Sequence, residues 1–202
     1  MYSRYGLIGL LRLLFDLVHT RFVFIGARLV RHPAYIRGKR HIRVGKNFTT
    51  GVGLRLDAFP TGTTPKICIE IGNDVQLNDY VHIGAIESVR IGDNVLIASK
   101  VFISDHNHGC YRGDDEQDSP DTPPALRRLD SRPVIIDDNA WIGEFVAILP
   151  GVRIGRGAII GAMSVVTQDI PAGCMAAGAP ARVIKKYDQT TRRWQRVERS
   201  SS

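Results

Sequence analysis

Two histidines one residue apart, His106 and His108, stand in the stretch ISDHNHGCY at residues 103–111. Asp105 precedes them and Cys110 follows. An imidazole is the side chain best suited to take a proton from a weak nucleophile near neutral pH. A carboxylate beside it can orient the ring. Three chemistries use these residue types: general-base catalysis, a metal cluster and attack by a thiol. The metal reading is thin, because the next histidine back is His82 and none follows His108. Nothing besides proximity marks Cys110 as a nucleophile, and its other role is a small packing residue. No GxSxG elbow is present, which suits direct attack of one substrate on another.

The histidines open a break in a repeat. Ile136, Ile142, Ile148, Ile154, Ile160 and Val166 fall every six residues, and Gly143, Gly155 and Gly161 follow three of them. A second register runs Ile71, Leu77, Ile83, Val89, slips by two residues, and continues Ile91, Ile97, Ile103. Six fits neither a helix nor simple alternation. It fits a short strand and a turn, with one aliphatic residue pointing inward per face. Three faces make a triangular coil, and coils stack about 4.8 Å apart into an all-β solenoid that needs a cap at each end. Residues 104–133 interrupt this pattern with a long, aperiodic loop. Such a loop is usually functional or disordered, and this one begins at the histidines.

The ends differ from the body. Residues 1–46 carry ten Lys/Arg against one acid, residues 182–202 seven against two, and the middle ten against seventeen. Basic ends without interleaved aromatic residues argue against nucleic-acid binding. Three widely spaced cysteines, Cys68, Cys110 and Cys174, indicate no disulfide framework. Leu7, Leu11, Leu14, Val18, Phe22, Ile25 and Leu29 recur at helical spacing. They predict an amphipathic helix ending no later than Pro33, with Arg12 and Asp16 able to pair. The helix either packs on its own domain or lies on a membrane surface. It is too broken by charge to span one and lacks a signal-peptide cleavage site. The domain reading is 1–43 helical cap, 44–184 solenoid with loop 104–133 inserted, and 185–202 basic tail.

The hexad aliphatic–Gly–x–x–small–x, with WIGEFVAILPGVRIGRGAIIGAMSVVTQDIP and AAGAPARVIKKY, resembles the hexapeptide-repeat acyltransferases over about residues 44–187. The likeness is to the galactoside/maltose-type and polysaccharide O-acetyltransferases. It implies a left-handed parallel β-helix with an N-terminal helical cap and a short C-terminal helical tail. It implies acetyl transfer from acetyl-CoA to a sugar hydroxyl, in polysaccharide or lipopolysaccharide biosynthesis, by a homotrimer with sites between subunits. The expected location is cytoplasmic, with the N-terminus able to meet the inner face of the membrane. Ungapped counting from Ile91 places the family's general base on His108, with His106 the neighbouring candidate. Asp105 would orient the imidazole. The same counting places the acceptor-contacting asparagine on Asn78, and Trp141 matches an active-site wall. On the coenzyme side the likeness implies Glu144, Ala162 and Thr167 along the pantetheine arm, and Arg182 and Lys185 at the 3′-phosphate. Glu144 replaces a small polar family residue, and Met163 and Ala179 also depart from the pattern. A backbone N–H near residues 143–144 is the expected oxyanion donor, and no metal is expected. Two rivals are a zinc-dependent hydratase of the γ-carbonic-anhydrase kind and a non-catalytic β-helix scaffold.

Overall fold

The computed structural model describes residues 2–61, 66–113 and 117–197. The six-residue period becomes a triangular coil. Among the described residues its parallel strands line up in sheets of six, five and eight strands. In the eight-stranded sheet Leu77, Ile97, Ile142 and Ile160 pair rung on rung and end on Ala176. The five-stranded sheet stacks Val44, Ile71, Ile91, Ile136 and Ile154. The six-stranded sheet stacks Leu56, Ile83, Ile103, Ile148 and Val166. These columns form one continuous core. Burying one such aliphatic side chain is worth about 1.5–3 kcal/mol.

Each corner must turn the chain tightly. Asn47, Asp74, Asn94 and Asn139 take positive φ at one corner, and Tyr80, Lys100, Phe145 and Met163 at another. The glycine after the inward aliphatic keeps successive coils close. A Cβ on Gly92 would lie 2.4 Å from the Asp138 carboxylate and 2.8 Å from its backbone nitrogen.

The two-residue slip between Val89 and Ile91 has a local cause. Both residues belong to one strand, Val89–Ile91, and both are buried. The extra length comes from a wider corner at residues 86–88, between the six- and five-stranded sheets.

One coil later the same corner holds the insertion. The chain leaves at Asp105, whose N–H donates to Gly84, and Arg132 returns to donate to the Asp105 carbonyl. The loop carries structure of its own. Strand His106–His108 pairs antiparallel with Leu129–Ser131. Arg112 is ion-paired to Asp130, and the Arg127 guanidinium donates to the Tyr111 hydroxyl at 2.7 Å.

The C-terminal tail is not helical, contrary to the sequence expectation. Arg182–Asp188 and Arg193–Arg196 form an antiparallel pair that extends the eight-stranded sheet beyond Cys174–Ala177. β-Branched Val183 and Ile184 suit a strand, and the rings of Tyr187 and Trp194 pack across it at 5.4 Å. Asp188 shapes the turn by accepting bonds from Thr191 and Gln195.

The N-terminal helix, α1, spans Tyr2–Val23 with a kink at Gly6. It ends before Ile25 and Leu29, which sequence spacing had placed on it. Arg12 and Asp16 do not pair. Asp16 instead accepts the His32 backbone N–H at 3.0 Å, while Arg12 donates to the His32 carbonyl at 2.9 Å.

Candidate functional site

Asp105 is fully buried. Its carboxylate accepts the backbone N–H groups of Ile86 at 3.0 Å, Glu87 at 2.7 Å and Ser88 at 2.7 Å. The widened corner is therefore wrapped around this one side chain. Burial alone would raise the Asp105 pKa. The bond from His106 and those from the three amides outweigh it and hold the group below its usual range.

The same carboxylate faces His106, with Oδ1 2.8 Å from Nδ1. With the Nδ1 proton on that bond, Nε2 is left as the acceptor. The His106 ring is only about a fifth exposed. His108, two residues along the same strand, is exposed and stands on the same face by strand alternation. Pairing with Leu129–Ser131 fixes the strand, and the Tyr111 hydroxyl donates to the His108 carbonyl at 2.5 Å. Cys110 is 2% exposed and its N–H donates to Asp118 at 2.9 Å, as suits a packing residue. Among the described residues no group of three His, Cys, Asp or Glu side chains is arranged to hold a metal.

The other sequence-derived residues gather elsewhere. Asn78, Glu144 and Ala162 lie at the corner between the eight- and six-stranded sheets, Glu144 and Ala162 on successive coils and Asn78 two coils before Glu144. Asn78 accepts a bond from Gln76 at 3.0 Å. Trp141 points outward from the eight-stranded sheet, 49% exposed. Arg182 and Lys185 lie on the added strand, opposite Ala177 and Met175. Thr167 is the exception: it follows Val166 of the six-stranded sheet, on the histidine side. Within one chain, then, Trp141, Glu144 and Ala162 lie on neighbouring coils, and Asn78 shares their side of the solenoid two coils earlier. The histidines leave from the opposite edge of the six-stranded sheet, after Phe102–Ser104. The Gly143 N–H is not the expected oxyanion donor, because it is spent on Ile160 O at 2.8 Å.

The family described as bacterial transferase hexapeptide (six repeats) matches residues 133–168. A protein of Escherichia coli strain K12 that bears the name lipopolysaccharide biosynthesis O-acetyl transferase WbbJ is 50% identical over 195 residues, 96% of this chain and 97% of that protein. The chain belongs to the hexapeptide-repeat acetyltransferases. A galactoside acetyltransferase solved in complex with coenzyme A is 30% identical, with a TM-score of 0.55 over 86% of this chain and 70% of that one. The N-acyltransferase AntD of Bacillus cereus, 22% identical, shares the fold at a TM-score of 0.68 over 86% and 90%.

This acetyltransferase holds a second polar cluster that sequence reasoning missed. On the outer face of the six-stranded sheet Asp57 accepts bonds from Arg37 at 2.6 Å and Arg55 at 2.7 Å, and lies 3.1 Å from His82 Nε2. Burial pushes the Asp57 pKa up, but these three partners bring it down to about 2. Burial also pushes the His82 imidazole below its usual value, against the pull of Asp57. His82 borders the histidine pair. A Cβ on Gly84 would meet His106 Cε1 at 3.5 Å and His82 Nε2 at 4.0 Å. The signal was present, since His82 directly precedes the inward Ile83, but the pairing with Asp57 joins residues 25 positions apart.

Because its folded pKa is depressed, Asp57 adds stability that is full above pH about 4 and is lost as pH falls toward 2. Asp57→Asn is expected to lower the melting temperature at pH 7 by about 5 °C. The gap from wild type should close between pH 4 and 2 in thermal melts.

Proposed function

We propose that this acetyltransferase moves the acetyl group of acetyl-CoA onto a sugar hydroxyl, in the making of a cell-surface polysaccharide or lipopolysaccharide. The observation that carries the reading is the exposed His108 imidazole, on a strand anchored by the buried Asp105–His106 pair. The name of the E. coli relative and the coenzyme A complex of the galactoside enzyme support it.

The coenzyme side fits as well. Asn78, Ala98, Gly143, Gly161 and Ala177 succeed one another along one corner, one per coil. Beyond Asn78 these are small residues, and over about 14 Å they leave room for an extended arm. The row ends at Ala177, opposite Arg182. Arg182 and Lys185 would hold the 3′-phosphate there through charge-assisted bonds. Since this row and the histidines lie on opposite sides of one sheet, we place the site between subunits of a homotrimer of left-handed β-helices. One subunit gives the histidine loop and its neighbour the coenzyme row.

In the reaction His108 takes the proton of the sugar hydroxyl as its oxygen attacks the thioester carbonyl. The C–S bond breaks, the thiolate leaves, and the imidazolium returns the proton to sulfur. The products are an acetyl ester and free coenzyme A. No covalent enzyme intermediate is needed.

Thiol release from acetyl-CoA with a panel of sugars and nucleotide sugars tests this. Acceptor-dependent release is expected, and a protein that fails to bind coenzyme A by titration would overturn the reading. Arg182→Ala should raise the KM for acetyl-CoA about tenfold. It should leave the KM for the 3′-dephospho donor unchanged.

A further inference from the structure

Helix α1 turns two of its polar residues inward. Asp16 and Thr20 are each 1% exposed. Asp16 binds the His32 backbone, and the Thr20 hydroxyl accepts the Val30 N–H at 2.8 Å. The apolar residues turn outward. Leu7, Leu11, Leu14, Phe15, Val18 and Phe22 are between 55% and 77% exposed. At 3.6 residues per turn they fall on one arc of about 100°. Arg21 borders one edge of that arc and Arg12 the other. Ile25, 93% exposed, lies just past the helix end.

A contiguous apolar face of this kind marks a docking surface, and its surroundings show what docks. Between residues 1 and 56 the only acidic residue is Asp16, which is buried. Arg12 and Arg21 thus border the face, and residues 1–56 offer it no solvent-facing carboxylate. A second copy docked face to face would set Arg12 and Arg21 against the same positive rim. An anionic surface with an apolar interior complements both features at once. No helix of the described residues is long and apolar enough to cross a membrane, so the fit is to a helix lying in the plane of the surface.

We infer that α1 is an interfacial anchor for an anionic lipid bilayer, with its apolar arc in the acyl boundary and its arginines among the headgroups. The anchor needs no part of the acetyl-transfer chemistry. It would hold the solenoid at a surface where lipid-linked sugars are found.

The test is co-sedimentation of the full chain with vesicles of phosphatidylcholine containing about 30% phosphatidylglycerol, set beside phosphatidylcholine alone. Wild type is expected to bind the anionic vesicles more than tenfold more tightly. Leu14→Glu/Phe22→Glu should weaken that binding more than tenfold, and Leu11→Asn/Val18→Asn, on other turns of the arc, should also weaken it. All four residues are solvent-exposed, so the folded solenoid is expected to survive. Failure of wild type to sediment, or equal sedimentation of the variants, would overturn the inference. So would a wild type whose mass in solution, by light scattering, exceeds that of the variants, because another copy would then cover the face. Vesicle binding is read without acetyl-CoA or acceptor, so it stands or falls separately from the acetyl-transfer reading.

Discussion

Alanine at position 108 is expected to lower the kcat of acceptor-dependent thiol release by about 10²–10⁴-fold, the range that a positioned general base contributes. The melting temperature should hardly change, because His108 is exposed and, among the described residues, only its carbonyl is bonded, to Tyr111. His106→Ala should behave differently. It removes the proton donor to a buried carboxylate, so it should lower stability and reduce kcat by a smaller factor, about tenfold. The two variants, assayed side by side for rate and melting temperature, separate the base from its support. A larger rate loss in His106→Ala, with His108→Ala near wild type, would move the base inward by two residues. The dyad geometry of His106 and Asp105 makes that the specific alternative.

The second large effect is at Asp105. Its carboxylate meets three backbone amides and one imidazole, and it is fully buried. Asp105→Ala would leave those donors without their acceptor. Removing one partner of a buried, hydrogen-bonded charge typically costs about 3–5 kcal/mol, and chemical denaturation should read that loss. Asp105→Asn keeps the shape but only one oxygen, so it should fall between alanine and wild type. With His108 as the proposed base, Asp105 would act on it only through the strand, as a positioning residue. Its asparagine variant should lower kcat more than it raises KM. Asp105 is held below its ordinary pKa, so its contribution to stability is present above pH about 4. It is lost as pH falls through the depressed value.

The solenoid could be read from the sequence because its core repeats. Ile136 to Val166 keep step without a miss, and every one of these residues sits on an inner face. Other features depended on partners that sequence distance conceals. The slip between Val89 and Ile91 was visible, but the carboxylate that fills the widened corner before it lies 17 to 19 positions from residues 86–88. Asp105 and His106 are adjacent and could be paired on sight. Asp57 and His82 meet only because one coil lies on the next. The histidines were legible as a candidate site, while their separation from Asn78 and Trp141 emerged only when each was assigned to a sheet. The tail was misjudged because its alternating Val183, Lys185 and Tyr187 have a ready sheet edge to join at Cys174–Ala177. In α1 the apolar spacing was clear. The spacing alone could not show that buried Asp16 and Thr20 would claim the inward side.

The inserted loop leaves and re-enters the coil at a single corner, while the ladder continues on both flanks: Phe102 pairs with Ala147, and Val134 with Val89. Its length is therefore uncoupled from the register of the barrel-like stack. Closing a longer loop between fixed ends costs little, about 0.6 kcal/mol for each doubling. Most of residues 109–113 and 117–128 can thus change on a constant frame, Tyr111 excepted because it holds the His108 carbonyl. Changes there can alter what reaches the histidines without disturbing a single rung.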